Sequence, residues 1–178
     1  MSHFIGDWIA DLAILEEWLR TVEYKTATDR LQKFKIKRSV GGSVFMGYTW
    51  RGYLTPTTQR EWCCKKKKFK TKLMSERPDL WEAFEEFRDL YFPHFDFSGV
   101  QLNYNYALGP HKDANNVGES VLVCTGDYTG GSTCVELEDG VVQKFDARLR
   151  PVVFDGSIYT HWVESFTGDR FSVVFFRD

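Results

Sequence analysis

From Gly99 onward the chain breaks into short apolar and β-branched runs separated by Gly, Asp and Asn, at roughly 99–106, 119–125, 132–137, 141–145, 150–155, 158–164 and 170–176. This even spacing of short strands restricts the fold more than any other feature. It leaves no room for helices between strands, so it predicts a sandwich, jelly roll or barrel and excludes a βαβ architecture. The first half reads differently. Ile5, Trp8, Ile9, Leu12, Leu15, Trp18 and Leu19 recur at helical spacing over residues 4–20, and Leu80, Trp81, Phe84, Phe87, Leu90 and Tyr91 do so after Pro78. Both segments predict amphipathic helices whose apolar stripe covers a sheet. Between them, "KFKIKRSV" (33–40) alternates with a period of two and "SVFMGYTWRGYL" (43–54) continues as a strand, with Gly41-Gly42 as the expected hairpin turn. The expected class is α+β, mainly β, with N-terminal helices packed on a compact double-sheet core.

A chain of 178 residues with 15 Phe, 8 Tyr and 6 Trp has enough apolar bulk for one core. The absence of repeats and low-complexity linkers points to a single domain over 1–178, with 1–98 as a helical and hairpin support region and 99–178 as the β core. A net charge of −2 gives no global attraction to nucleic acid or anionic membrane. No apolar run approaches the roughly 20 residues of a membrane span, and "MSHFIGDWIADLAILEEW" carries acids where a signal peptide carries basic residues. A soluble intracellular protein, cytoplasmic or nuclear, is expected. The cysteines Cys63, Cys64, Cys124 and Cys134 show no C-x-x-C spacing, which predicts reduced thiols rather than a zinc site.

"LNYNYALGPHKDANNVGES" (102–120) places His111 and Asp113 one residue apart, after a strand-like run and before a turn. Alone the pair reads more readily as two polar loop residues that cap a turn. A second histidine, His161, lies on a later strand in "DGSIYTHWVESF". Two imidazoles and one carboxylate on a rigid β scaffold are the donor set of the facial triad that holds non-haem Fe(II) and leaves coordination positions open. In "GDRFSVVFF", Arg170 and Ser172 share one strand face, and a buried arginine beside a hydroxyl suits the far carboxylate of a chelating 2-oxo acid. The bland alternatives are a backbone-bonded buried His161 and an Arg170 ion-paired to Asp155 or Glu164. His94 and His3 read as structural and terminal, and Asn115-Asn116 as turn formers.

In combination, H-x-D (111–113), His161 and R-x-S (170–172) resemble the Fe(II)/2-oxoglutarate-dependent dioxygenases, whose fold is a double-stranded β-helix, jelly-roll or cupin-like. The stretches "QLNYNYALGPHKDANNVGES", "GDYTGG", "FDG" before His161 and "FTGDRFSVVFF" look similar to the TET/JBP-like branch, which oxidises the methyl group of thymine or 5-methylcytosine. The resemblance implies that His111, Asp113 and His161 hold Fe(II), and that Arg170 and Ser172 bind 2-oxoglutarate. O2 is the oxidant, with ascorbate as an accessory reductant. In the related AlkB-like branch an N-x-Y motif upstream of H-x-D contacts 2-oxoglutarate. Here Tyr104 stands where its Asn is expected, which makes Asn103, Asn105 and Tyr106 the candidates for that contact.

Six lysines among residues 65–72 read either as a solvated segment or as a phosphate-neutralising patch for DNA or RNA, extended by Arg51 and Arg60. Trp50, Trp62, Phe69 and Trp162 are the aromatics available to stack on a base. The implied reaction is hydroxylation of a nucleobase methyl group. A protein side-chain (prolyl) or small-molecule hydroxylase, and a non-catalytic β-sandwich binding module, are the alternatives, because one metal site serves many substrates.

Overall fold

Side-chain alternation along the strands decides which face of the main sheet becomes core and which becomes cavity. In the computed structural model, residues 2–25, 41–55 and 63–178 are described, with 50–55 and 63–67 described by backbone alone. The elements are α1 (Trp8–Arg20), β1 (Gly42–Thr55), β2 (Cys63–Lys70), α2 (Lys72–Glu76), α3 (Pro78–Tyr91), β3 (Gly99–Tyr104), β4 (Ser120–Thr125), β5 (Tyr128–Gly130), β6 (Thr133–Glu136), β7 (Val142–Phe145), β8 (Val152–Phe154), β9 (Thr160–Val163), β10 (Phe166–Gly168) and β11 (Phe171–Phe176). Strands order as β2-β1-β3-β11-β4-β8 in the main sheet, β7-β6-β9 in a second and β10-β5 in a third. The architecture is mainly β with antiparallel sheets, a jelly-roll core flanked by helices.

In β11, Phe171, Val173 and Phe175 are buried against α1 and α3, where Leu15, Leu19, Phe84 and Phe87 meet them. Ser172, Val174 and Phe176 lie on the opposite face and line a cavity between the main and second sheets. β3 divides in the same way: Val100 and Leu102 join the helical core, while Gln101 and Asn103 face the cavity. α1 begins where the Asp7 side chain accepts the Ala10 N–H, and α3 begins with Pro78 in its first turn. The two helices fall where periodicity predicts them. Within α1 the inward place goes to Trp8, packed on Phe87 and Tyr91, while Ile9 is exposed and Ile5 precedes the helix.

The strand expectations hold for seven segments, and two three-residue strands, β5 and β10, add to them. They are too short and glycine-rich to show a period. The expected strand at 33–40 lies outside the described residues. Gly42 is already part of β1, opposite Tyr104, and Ser43 bridges to Lys25, so the described partners of β1 are Lys25, β2 and β3. A Cβ on Gly41 would sit 1.8 Å from the Tyr104 carbonyl oxygen, so this position needs glycine for close approach. Lys65–Lys70 lie on β2, an edge of the main sheet among the described residues, and lysine on an edge strand discourages pairing with other chains.

The start of β11 is held by Asn105, the one described non-glycine residue with positive φ (46°). Its Oδ1 accepts the Arg170 N–H at 2.7 Å, and its own N–H donates to the Arg170 carbonyl at 2.8 Å. Asp169 accepts from Tyr104 Oη at 2.7 Å and from Asn105 Nδ2 at 3.0 Å, and these bonds hold its carboxyl below the usual range. Asn105→Ala should therefore leave the Arg170 N–H unbonded and cost about 1–3 kcal/mol in urea unfolding. An unchanged midpoint would show that this clip is not needed.

Candidate metal centre

His111 lies in the loop after β3 and His161 lies on β9, yet their backbones form a two-way bridge, His111 N to His161 O at 3.1 Å and His161 N to His111 O at 3.0 Å. The bridge brings the rings to a centroid separation of 4.2 Å. Asp113 follows, its N–H donating to the Gly156 carbonyl at 2.8 Å. His111 Nε2 stands 3.8 Å from Asp113 Oδ1 and His161 Nε2 stands 3.6 Å from Oδ2, and the three donor atoms lie within 4.8 Å of one another. Each Nδ1 faces a backbone carbonyl, Gly109 O at 2.8 Å for His111 and Tyr159 O at 3.1 Å for His161. A carbonyl only accepts, so the proton is fixed on Nδ1 and the Nε2 lone pair turns to the shared centre, the arrangement found at metal-ligating histidines. Burial, and then the neighbouring His111, lower the pKa of His161, which favours the neutral, metal-binding form.

The cavity that begins at this centre has a volume of about 120 Å³, several times what one water needs. Arg170, 2% exposed, lines the same cavity with Ser172, Thr133 and Tyr106. Among the described residues no carboxylate forms an ion pair with Arg170. Asp155 instead accepts from Ser157, and Glu164 pairs with Lys144, which sets aside both ion-pair alternatives. Arg170 Nε and Thr133 Oγ1 are buried without a hydrogen-bond partner in this same cavity. A buried cation without an anion is costly, so the donor set fits an anionic ligand that reaches from the centre to the arginine.

His111, Asp113, His161, Arg170, Ser172, Asn103 and Tyr106 all line this one cavity. Asn103 Nδ2 donates to Ser172 Oγ at 3.2 Å. Asn105 does not join them. It lies beyond the end of β3 with positive φ, so strand alternation fails there and its amide is spent on Arg170 N and Asp169. Asn116, expected only as a turn former, lines the cavity and donates to Asp113 Oδ2 at 3.2 Å. Gln101, Thr133 and Phe176 also line it. Strand alternation applied to β3 and β11 selects Gln101 and Phe176, but nothing in the sequence marks Thr133. Trp162 lines the cavity, His94 is exposed, and His3 bonds to Glu86. The side chains of Trp50, Arg51, Arg60, Trp62 and Lys65–Lys67 lie outside the described residues.

No family model matches the chain, and no curated protein is significantly similar to it. Solved structures are. An oxidoreductase of the 2OG-Fe(II) oxygenase family from Burkholderia pseudomallei aligns with a TM-score of 0.51 and 15% identity, over 93% of this chain and 76% of that one. A Pseudomonas putida prolyl-4-hydroxylase aligns with a TM-score of 0.51 and 18% identity, over 100% of this chain and 91% of that one. At these identities the likeness is one of fold: the chain has the jelly-roll fold that these oxygenases share. NgTET1 in complex with 5mC DNA aligns with a TM-score of 0.48 and 15% identity, over 93% and 67%, so the TET-like branch is not singled out.

A Cβ at Gly156 would stand 3.0 Å from Asp113 Oδ2 and 3.2 Å from His161 Cε1. Gly156→Ala should therefore push two ligands apart and weaken Co(II) binding by about 10–100-fold while the protein stays folded, and Asp113→Ala should abolish it. Titration calorimetry with Co(II) checks both. Unchanged affinity in Asp113→Ala would rule out this centre.

Proposed function

We propose that the chain is an Fe(II)- and 2-oxoglutarate-dependent dioxygenase that hydroxylates a C–H bond, with a nucleobase methyl group as substrate. The observation that carries the chemistry is the presence, in one cavity, of three clustered ligand atoms and a buried arginine that pairs with no carboxylate among the described residues. When bound, iron and 2-oxoglutarate supply an oxidant made from O2, with succinate and CO2 as co-products. The chain's own residues provide the placement. His111, Asp113 and His161 would hold the metal on one face, each histidine kept in the ligating tautomer by its backbone carbonyl. Arg170, with Ser172 and Thr133, would take the distal carboxylate, and Asn103 and Tyr106 line the same cavity. Leu122, Phe154 and Val163 line the same cavity and keep water from it.

The nucleobase reading rests on the TET/JBP-like motifs and on the side chains along β3 and β11 away from Arg170. Gln101 brings a carboxamide, whose Nε2 donates to Ser43 Oγ at 2.6 Å, and Phe176 presents a ring. Carboxamides hydrogen-bond base edges and aromatics stack on base faces, the two contacts an extruded base needs. DNA or RNA would then meet the lysine strand β2. A protein side chain is the second reading, favoured by a separate cleft beside Lys112. That cleft is lined by Leu137, Ile158 and Tyr159 together with Glu136 and Glu138, whose carboxylates repel phosphate.

Succinate release from 2-oxoglutarate, with Fe(II) and ascorbate, should appear for the native chain and vanish for Asp113→Ala. DNA containing 5-methylcytosine or thymine should stimulate it, and neutralising Lys65–Lys68 should weaken DNA binding and flatten its salt dependence. Succinate that no DNA or RNA stimulates would move the substrate to proteins or metabolites. No succinate under any condition would leave a non-catalytic module.

A further inference from the structure

The proposed reaction uses Arg170 but leaves unexplained how a guanidinium is kept in place before any anion arrives. A flexible cation in a cavity would turn toward the nearest carboxylate or toward water. Here Arg170 Nη2 donates to Cys124 Sγ at 3.1 Å. Cys124 is 1% exposed and lies on β4 directly opposite Ser172 of β11, so the thiol sits in the sheet floor beside the arginine. The guanidinium carbon lies 5.5 Å from the Tyr128 ring centroid and 5.7 Å from that of Phe166, and these two rings, on β5 and β10, meet edge to face at 6.1 Å. A Cβ at Gly131 would meet Arg170 Cδ at 3.1 Å and Nε at 3.2 Å, so the chain leaves room for the arginine there.

We infer that Cys124 is a positioning residue for co-substrate binding: its sulfur takes Nη2 and, with the Tyr128 and Phe166 rings, holds the Arg170 guanidinium in one orientation, while Nε is left without a partner for the ligand. Sulfur suits the task because it is a weak acceptor. It accepts one N–H without satisfying the positive charge, whereas a carboxylate at this position would form an ion pair and occupy the clamp. Burial pushes the Cys124 thiol up against the opposing pull of Arg170, so it stays a neutral thiol. The aromatic faces support the cation in the same manner, by attraction without neutralisation. The partnerless Arg170 Nε and Thr133 Oγ1 in the cavity are then the donors left for the ligand.

This inference rests on the proposed co-substrate, and the test separates the two. The Co(II)-loaded protein is titrated with 2-oxoglutarate and with 2-oxobutyrate, which shares the chelating end but has no distal carboxylate. Cys124→Ala should lose about tenfold in affinity for 2-oxoglutarate, with affinity for 2-oxobutyrate and Co(II) unchanged, and Cys124→Ser, which keeps an acceptor, should recover most of the loss. Native binding of 2-oxoglutarate with no change in Cys124→Ala would overturn the inference alone. An equal loss for both acids would overturn it too, by showing general damage to the cavity. A native chain that binds neither acid would remove the co-substrate reading and the inference with it.

Discussion

The two backbone hydrogen bonds between His111 and His161 are the constraint on which the site depends. They join the loop after β3 to β9, the strand at one end of the β7-β6-β9 sheet, and so bring together ligands that local sequence alone cannot. Once the bridge is made, the short reach from His111 to Asp113 and the Asp113–Gly156 bond leave the carboxylate little choice of position. The carbonyls of Gly109 and Tyr159 then set both imidazole tautomers. Preorganisation here is a property of backbone pairing, which a rigid β scaffold supplies at low entropic cost.

A second constraint comes from β11. Its odd-numbered residues close the aromatic core under α1 and α3, so its even-numbered residues must face the cavity. The same alternation places Arg170 next to Ser172 and sets both against β4, where Cys124 stands. Core packing and the depth of the ligand site are thus coupled through one strand. A change that shifted β11 by one residue would exchange the buried Phe171, Val173 and Phe175 with the polar face.

How much of this was legible in the sequence follows from the range of each signal. Strand spacing and helix periodicity are local, and they gave the β core, α1 and α3 with small errors at the ends. H-x-D, His161 and R-x-S were readable because few folds bring those residue types together in that order, and the cavity gathers them. Asn105, a candidate beside the displaced N-x-Y motif, lies outside the cavity because it follows the end of β3 in a position with φ of 46°. Thr133, Gly156 and Cys124 were invisible because their roles depend on contacts across sheets, Thr133 with the cavity, Gly156 with Asp113, and Cys124 with Arg170. The lysine run remained ambiguous for a physical reason: an edge strand gains from lysine whether or not a phosphate ever approaches it.

The most direct test of the account is an anomalous diffraction map of crystals loaded anaerobically with Co(II) and 2-oxoglutarate. The account predicts a single strong metal peak bounded by His111 Nε2, an Asp113 carboxylate oxygen and His161 Nε2, with the distal carboxylate of the ligand hydrogen-bonded to Arg170. A metal at any other site, or a carboxylate that leaves Arg170 without an anion, would contradict it.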